Sequence, residues 1–353
     1  MITLGIESSC DETSVAVLSD GRVLSSLTHS QAEHALYGGV VPEVASRAHL
    51  ERIDGLTGAA MEQGGVGPRD IDLLAVTDSP GLAGALLVGV SFALGMHAAH
   101  GIPITGVSHL EGHICSLFIS QDAITAPDGI GASHGINTST NGINVPLPFI
   151  ALLASGGHTA IYRYASFGDC ELLGSTVDDA AGEAFDKVGK LLGFPYPAGR
   201  AIEQEAAKAP NQGRSDITFP IARFSSPDRR YCFSFSGLKT AVKKFISQNG
   251  EHYIDNNRPA VCAAFQRAVV GSLTDNVEAA AKAQGIKTVA IAGGVACNGF
   301  LRDELRRRFG KSNVICPEPR LCTDNGAMIA MAGQLMRQNN RLRFPVMDPG
   351  RGI

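Results

Sequence analysis

His109 and His113 stand four residues apart in the string Ser108-His109-Leu110-Glu111-Gly112-His113, and no other pair of residues points so directly to chemistry. On a helix, positions i and i+4 share a face with Cβ atoms about 5–6 Å apart, close enough for both rings to hold one metal ion. Two histidines leave a site open, so a third protein ligand has to come from elsewhere in the chain. Asp324, in Cys322-Thr323-Asp324-Asn325-Gly326, is the best candidate: it heads a helix-like run and has no adjacent basic residue. Two histidines and a carboxylate, with positions left for water or substrate, suit iron(II) or zinc. The same spacing also arises on ordinary helices, where both rings simply pack, and spacing alone leaves the two readings open.

Three turns could contact a phosphate through backbone N–H groups. They are Glu7-Ser8-Ser9-Cys10-Asp11-Glu12-Thr13, Leu153-Ala154-Ser155-Gly156-Gly157-His158-Thr159 and Ala292-Gly293-Gly294-Val295-Ala296-Cys297-Asn298. Small residues at strand ends let a backbone approach an anion closely. Taken singly, each is an ordinary turn. Their recurrence at matching places in a repeated plan favours nucleotide binding. The first carries Glu7, Asp11 and Glu12 and no lysine, so it repels phosphate unless a cation intervenes.

The elements that must position these residues follow from composition and periodicity. A chain of 353 residues with 44% hydrophobic content has ample core for two lobes. The net charge of −4 argues against a uniformly basic nucleic-acid or membrane coat and leaves room for a local basic face. The eight cysteines are scattered without a C-x-x-C pair, which favours reduced thiols in the cytoplasm over a disulfide framework or a zinc ribbon. No basic n-region opens the chain, so no secretory signal is read. Residues 82–99 form a long apolar run, but Gly84, Gly89, Gly95, Ser91 and His97 favour a buried helix over a membrane span.

Alternating apolar and polar residues predict strands over 3–9, 14–18 and 22–28, then a helix opening at Pro42, a strand over 73–78, the apolar helix and a strand over 104–107. The plan recurs with strands over 149–154, 159–165 and 171–175, helices over 180–192, 200–209 and 259–284, a strand over 288–292 and a helix from Asn298. Two such copies describe the α/β, duplicated two-lobe fold of actin, Hsp70 and sugar kinases, with a central nucleotide and metal cleft. The expected boundaries are 1–118 for the first lobe, joined by a returning C-terminal helix at about 324–353, and 149–323 for the second. Residues 119–148 are expected to be a flexible insertion loop, because the stretch 120–145 is rich in Gly, Asn, Ser and Thr without a helical period. His134 within it is expected to be solvent-exposed, and residues 344–353 read as a tail.

The strings G-I-E-S-S-C-D-E-T-S-V-A-V, H-L-E-G-H, L-x-S-G-G-H-T, D-D-A-A-G-E-A-F-D-K, F-S-F-S-G-L-K-T-A, A-G-G-V-A-C-N and C-T-D-N-G-A-M-I-A, with P-G-L between the first two, resemble one family. It is the bacterial TsaD family of tRNA threonylcarbamoyladenosine biosynthesis transferases, formerly labelled glycoprotein endopeptidases. The resemblance runs over about residues 2–333. It implies transfer of threonylcarbamoyl from threonylcarbamoyl-AMP to the exocyclic N6 amine of the adenosine 3′ of the anticodon, in tRNAs reading ANN codons. It implies that His109, His113 and Asp324 hold one divalent metal, usually Fe2+, with Zn2+ the alternative. It assigns Leu153, Ala154, Ser155, Gly156 and Gly157 to the adenylate cradle, Asp186 and Glu203 to the ribose, Gly199 to packing against the nucleotide and Asn298 to the adenine side. The implied partners are an inactive actin-like paralogue, which pairs through the first lobe, and a small P-loop ATPase, with no membrane.

The acceptor amine is a poor nucleophile because its lone pair is delocalised into adenine, so a carboxylate that takes its proton would help. Glu12, with Asp11 beside it, is the candidate. Where the family commonly has Tyr-Pro-Gly-Gly-Pro, this chain has Tyr196-Pro197-Ala198-Gly199-Arg200, which adds charge near the ribose. Where Gly-Gly-Val-Ser-Ala-Asn is common, it has Gly293-Gly294-Val295-Ala296-Cys297-Asn298, and no general base is evident for Cys297 as a nucleophile. Basic clusters at Arg229 and Arg230, at Lys239, Lys243 and Lys244, and at Arg306, Arg307 and Arg308 are candidate tRNA contacts or plain solvated faces. Two rival readings lack their motifs: a metalloprotease needs H-E-x-x-H, whereas Glu111 lies two positions after His109, and a sugar kinase or ATPase needs D-x-G-T-[ST].

Overall fold

The computed structural model describes residues 1–37, 39–120, 145–209, 217–350 and 352. The segment 121–144, which holds most of the expected insertion loop and His134, lies outside the described residues. The chain divides into two compact units, Met1–Val145 with Thr323–Ile353, and Pro146–Cys322.

In the first unit, β1 (Ile2–Glu7), β2 (Glu12–Ser19) and β3 (Arg22–Ser30) form an antiparallel meander. Next come α1 (Pro42–Gly64), β4 (Leu73–Ser79), α2 (Ala83–His100), β5 (Ile104–Ser108) and α3 (His109–Cys115), and α9 (Gly326–Gln338) completes the unit. The sheet order is β3-β2-β1-β4-β5, with β1, β4 and β5 parallel. Successive side chains of a strand point to opposite faces, so β1 serves two helical layers. Leu4 and Ile6 share a core with Ile53 of α1 and with Val90 and Ala93 of α2. Gly5 faces the other way, where any Cβ would collide with the Gly326 carbonyl oxygen and with Ala330. The missing side chain lets α9 lie against the sheet backbone.

The second unit repeats the plan. Its elements are β6 (Phe149–Ala154), β7 (Thr159–Ser166), β8 (Asp169–Ser175), α4 (Ala181–Leu191), α5 (Gly199–Ala207), α6 (Ser236–Asn249), α7 (Glu251–Gln284), β9 (Val289–Ala292), α8 (Gly299–Phe309) and β10 (Val314–Ile315). The order is β10-β9-β6-β7-β8, with β6 and β9 parallel. Phe185 of α4 meets Phe265 of α7 edge to face in the core.

Three expectations are corrected. The apolar helix α2 is not buried: 28% of its residues are, and Leu87 is 54% exposed. It packs one side on β4 and α1, and among the described residues of its unit no other helix or strand covers the outer side. The helix expected from Pro259 begins at Glu251, with Pro259 inside it, because buried Ile254 and the Tyr253–Phe245 ring contact anchor the preceding turns. The end of the chain is a strap rather than a loose tail. Arg343 grips the fully buried Asp78 with both guanidinium nitrogens, Val346 N–H donates to the same carboxylate, and Gly81 N–H donates to the Pro349 carbonyl.

Candidate functional site

The end of β5 delivers the chain directly into α3, so His109 and His113 fall on the first two turns of a short helix. Gly112 lets α3 press on α9, since a Cβ there would strike Ile329. At the start of α9, Asn325 Oδ1 accepts from Met328 N–H as an N-cap, and Gly326 N–H donates to Ser14 Oγ. Gly326 itself sits so tightly over β1 and β2 that a Cβ would meet the Ala16 nitrogen and the Gly5 carbonyl oxygen. These contacts fix Asp324, one residue before the cap.

As a result, His109, His113 and Asp324 converge, with one ligand atom from each lying within 4.8 Å of the other two. The two rings are 4.6 Å apart between centroids. Asp324 Oδ1 lies 3.1 Å from His113 Nε2 and 3.6 Å from His109 Nε2. His113 is fully buried, yet neither of its ring nitrogens has a hydrogen-bond partner; the approach of Asp324 lacks hydrogen-bond geometry. A buried polar atom without a partner costs about 1–3 kcal/mol. A divalent cation would satisfy it, and a donor set of two imidazoles and one carboxylate suits such an ion. The residues fit the metal.

Around the triad, Glu7 was legible only as part of an acidic loop, and its task is more specific. Fully buried at the end of β1, it lies with Oε2 3.0 Å from His109 Nδ1 and accepts from Thr77 Oγ1 at 2.6 Å. Its other oxygen accepts from Ser9 N–H at 2.6 Å, and Ser9 Oγ lies 3.1 Å from His109 Nδ1. A carboxylate on Nδ1 turns Nε2 toward Asp324, the arrangement that orients metal-binding histidines. Thr77 gave no signal in sequence, and Ser9, like Glu7, gave one only as a member of the first turn.

The electrostatics agree. Burial disfavours a charged His109, but Asp324 and Glu7 outweigh it and hold the imidazole pKa up at about 9. Burial would raise Glu7, yet the charge and hydrogen bond of His109 pull it below the usual carboxylate value. Burial, then the Asp324 charge, push Glu12 up to about 8 against the Ser30 hydrogen bond. Without a cation this end of the unit carries more negative charge than it neutralises.

The second unit holds the residues that the family resemblance assigns to the nucleotide. After Ala154 the chain turns through Ser155, Gly156 and Gly157, closed by Ser155 N–H to the His158 carbonyl at 2.8 Å. Gly156 and Gly157 have open space where a Cβ would stand, whereas Gly182 and Gly293 (φ +88°) are pressed against the turn's backbone from behind. The turn is supported on its protein side and open on the other. Asp186 Oδ1 accepts from Ala198 N–H and holds the chain where Gly199 opens α5 with free space beside it. Glu203 Oε1 accepts from Gly299 N–H at 2.6 Å. Asn298 is occupied: its oxygen caps α8 through Leu301 N–H and its nitrogen donates to Gln266. Glu203, Gln266, Gly299 and Phe300 line a cavity of about 240 Å³.

The basic clusters separate. Arg306, Arg307 and Arg308 are tied into ion pairs with Asp303, Glu304, Asp275 and Glu278, and Lys239 is tied to Asp179. Lys243 and Lys244 on α6 are exposed.

A profile of the TsaD family, tRNA N6-adenosine threonylcarbamoyltransferase, matches residues 22–134 and 130–331. The tRNA N6-adenosine threonylcarbamoyltransferase of Geotalea uraniireducens (strain Rf4) is 45% identical over 346 residues, covering 97% of this chain and 93% of that protein. Among solved structures, the activator of the 2-hydroxyisocaproyl-CoA dehydratase from Clostridium difficile with bound ADPNP superposes with a TM-score of 0.52 at 14% identity, over 97% of this chain and 98% of that one. A ROK family protein from Streptococcus pneumoniae TIGR4 in complex with sucrose gives 0.51 at 9% identity, over 97% and 100%. These structural likenesses establish the fold, which is the expected actin, Hsp70 and sugar-kinase type.

Proposed function

The chain belongs to the family of tRNA N6-adenosine threonylcarbamoyltransferases, and on that premise we propose how it works. It takes the threonylcarbamoyl group of threonylcarbamoyl-AMP, transfers it to the N6 amine of the adenosine 3′ of the anticodon in tRNAs reading ANN codons, and releases AMP. The observation that carries the reading is the convergence of His109, His113 and Asp324, with an unpartnered buried imidazole, in a chain that aligns with such transferases over nearly its whole length.

The turn Leu153, Ala154, Ser155, Gly156 and Gly157 receives the adenylate phosphate through its backbone. Asp186 and Glu203 face the ribose hydroxyls, Gly199 leaves room for the nucleotide, and the cavity beside Glu203 and Gln266 receives the base. Asn298 acts by holding Gln266 and the start of α8 rather than by presenting a free amide. Arg200, exposed next to Gly199, adds a positive charge on this side. His109, His113 and Asp324 hold one divalent ion, Fe2+ in first place and Zn2+ in second, and that ion supplies Lewis-acid stabilisation of charge growing on oxygen. Glu7 orients His109. Glu12 takes the proton from the acceptor amine, with Asp11 adding local negative charge. A carboxyl raised toward neutrality is a stronger base than an ordinary one.

Lys243 and Lys244 contact the tRNA backbone in a salt-dependent way. Exposed Leu50 on α1 and Leu87 on α2 mark the face that pairs with an inactive paralogue of this fold, and a small P-loop ATPase completes the assembly. The reaction runs in the cytoplasm. The test is reconstitution with synthetic threonylcarbamoyl-AMP, transcribed tRNA and the partner subunits, followed by nucleoside mass analysis. Modified adenosine is expected, and its absence with all components present would refute the reading.

A further inference from the structure

Ala45, His49, Ile53, Thr57 and Ala60 form the buried stripe of α1. Ala45, Ile53 and Ala60 are apolar, and Thr57 returns its hydroxyl to the Ile53 carbonyl of its own helix. His49, although fully buried, reaches off the helix instead. Its Nε2 lies 2.9 Å from the Cys10 carbonyl oxygen and its Nδ1 lies 2.7 Å from Thr13 Oγ1. A carbonyl only accepts, so Nε2 carries the proton and Nδ1 accepts from the Thr13 hydroxyl. Burial holds the imidazole below its usual pKa, which favours this neutral form. A buried polar ring is costly unless it is bonded, and these two bonds use both of its nitrogens.

The two bonds land on either side of Asp11 and Glu12. A second brace runs beside them: Gln31 N–H donates to the Asp11 carbonyl at 3.0 Å, and Gln31 Nε2 donates to the Ala45 carbonyl of α1 at 3.3 Å. Thr13 is fully buried on the α1 face of β2, the face from which Val15 and Val17 share a core with Ile53. Ser14 points the other way, where its Oγ accepts from Gly326 N–H at the start of α9. Side chains alternate along a strand, so Glu12 stands on the Ser14 face. Locking Thr13 against α1 therefore sets the direction in which Glu12 leaves the opposite face.

We propose that His49 is a positioning residue for the transfer reaction, holding Glu12 in place through the Thr13 hydroxyl and the Cys10 carbonyl. The inference rests on the reading of Glu12 as the group that takes the proton from the acceptor amine. His49 touches neither substrate nor reacting atoms. A carboxylate that removes a proton must sit within hydrogen-bond reach of it, so a small rotation of β2 at Thr13 costs rate without costing the fold. A core histidine with no such task would contribute to stability alone, and kinetics separate the two roles.

The experiment measures transfer kinetics, metal per subunit and melting temperature on the reconstituted full-length chain for H49L, T13V and H49Q, each alone and combined with Glu12→Gln. H49L removes both bonds. T13V removes one at nearly constant volume and serves if H49L fails to fold, and the amide introduced by H49Q again offers a donor and an acceptor. In H49L and T13V, kcat should fall about tenfold, the scale of a slightly misplaced reacting group. KM for threonylcarbamoyl-AMP and metal content should stay at wild-type values, and H49Q should recover most of the rate. Combined with Glu12→Gln, the same substitutions should lower the rate further by less than about twofold, because they act through that residue. Wild-type kcat in folded T13V or H49L, or the full tenfold loss on top of Glu12→Gln, would overturn the proposal and leave the base reading intact. A wild-type rate in Glu12→Gln alone would remove the base reading, and this inference with it.

Discussion

The turn after β1 and the turn after β6 occupy the same place in two sheets of matching strand order, yet their electrostatics are opposite. Between β1 and β2 stand Glu7, Asp11 and Glu12, around the triad completed by Asp324. Between β6 and β7 stand Ser155, Gly156, Gly157 and His158, without a carboxylate and with open space over both glycines. On the proposed reading, one duplicated scaffold offers a side-chain site for a cation and a backbone site for an anion. The lesson concerns where chemistry can be placed: the sheet order is kept, and the residues at one strand end determine the ligand.

Removing the cation site should give the largest effect. Asp324→Ala should abolish metal retention, measured as metal per subunit, and lower transfer by about 10³-fold, on the scale of several kcal/mol of lost charge stabilisation. An unaltered adenylate affinity in the isolated chain would show that the two turns act separately; a joint loss would break the comparison. Glu12→Gln comes next, with transfer lower by about 10²-fold or more and adenylate binding normal. Its pH profile sharpens the point. A carboxyl raised to about 8 is neutral below that pH and ionised above it, so the wild-type rate should climb as pH rises toward 8. Bound cation shifts the limb downward, and Glu12→Gln should lose it. Glu7→Gln should weaken metal affinity about 10–100-fold in a competition titration with a chromophoric chelator, because the neutral amide holds the His109 ring less firmly. The smallest and most selective effects lie in the second unit. Gly156→Ala should leave the melting temperature unchanged, because its Cβ would meet no protein atom, while reducing adenylate affinity if the proposed cradle holds. Gly293→Ala should instead cost about 1–3 kcal/mol of stability, since its φ of +88° and the Ala154 carbonyl both exclude a side chain.

Much of this was legible because strand alternation and turn residues are local signals. The β1–β2–β3 meander, the glycine turns and the i,i+4 histidines are all read within a few residues. The failures were tertiary. Nothing local says that α2 is covered on one side only, so an apolar helix read as buried. Pro259 looked like a helix start because its own geometry fits one, while packing of Ile254 carries α7 eight residues further back. Arg343 gave no sign in sequence that it would pair with Asp78, more than two hundred residues away. Arg306, Arg307 and Arg308 read as a basic patch because their acidic partners include Asp275 and Glu278 on another helix. The His109, His113 and Asp324 set was found by donor chemistry, but the role of Glu7 toward His109 depended on a contact spanning 102 residues of chain.

The most direct test of the cation site is paired metal analysis and nucleoside mass spectrometry on wild-type and His113→Ala proteins. Both would be reconstituted identically with threonylcarbamoyl-AMP, tRNA and partner subunits. One divalent ion per wild-type chain with modified adenosine, and neither in the variant, is the expected result. Full modification by a correctly folded His113→Ala protein that holds no metal would contradict it.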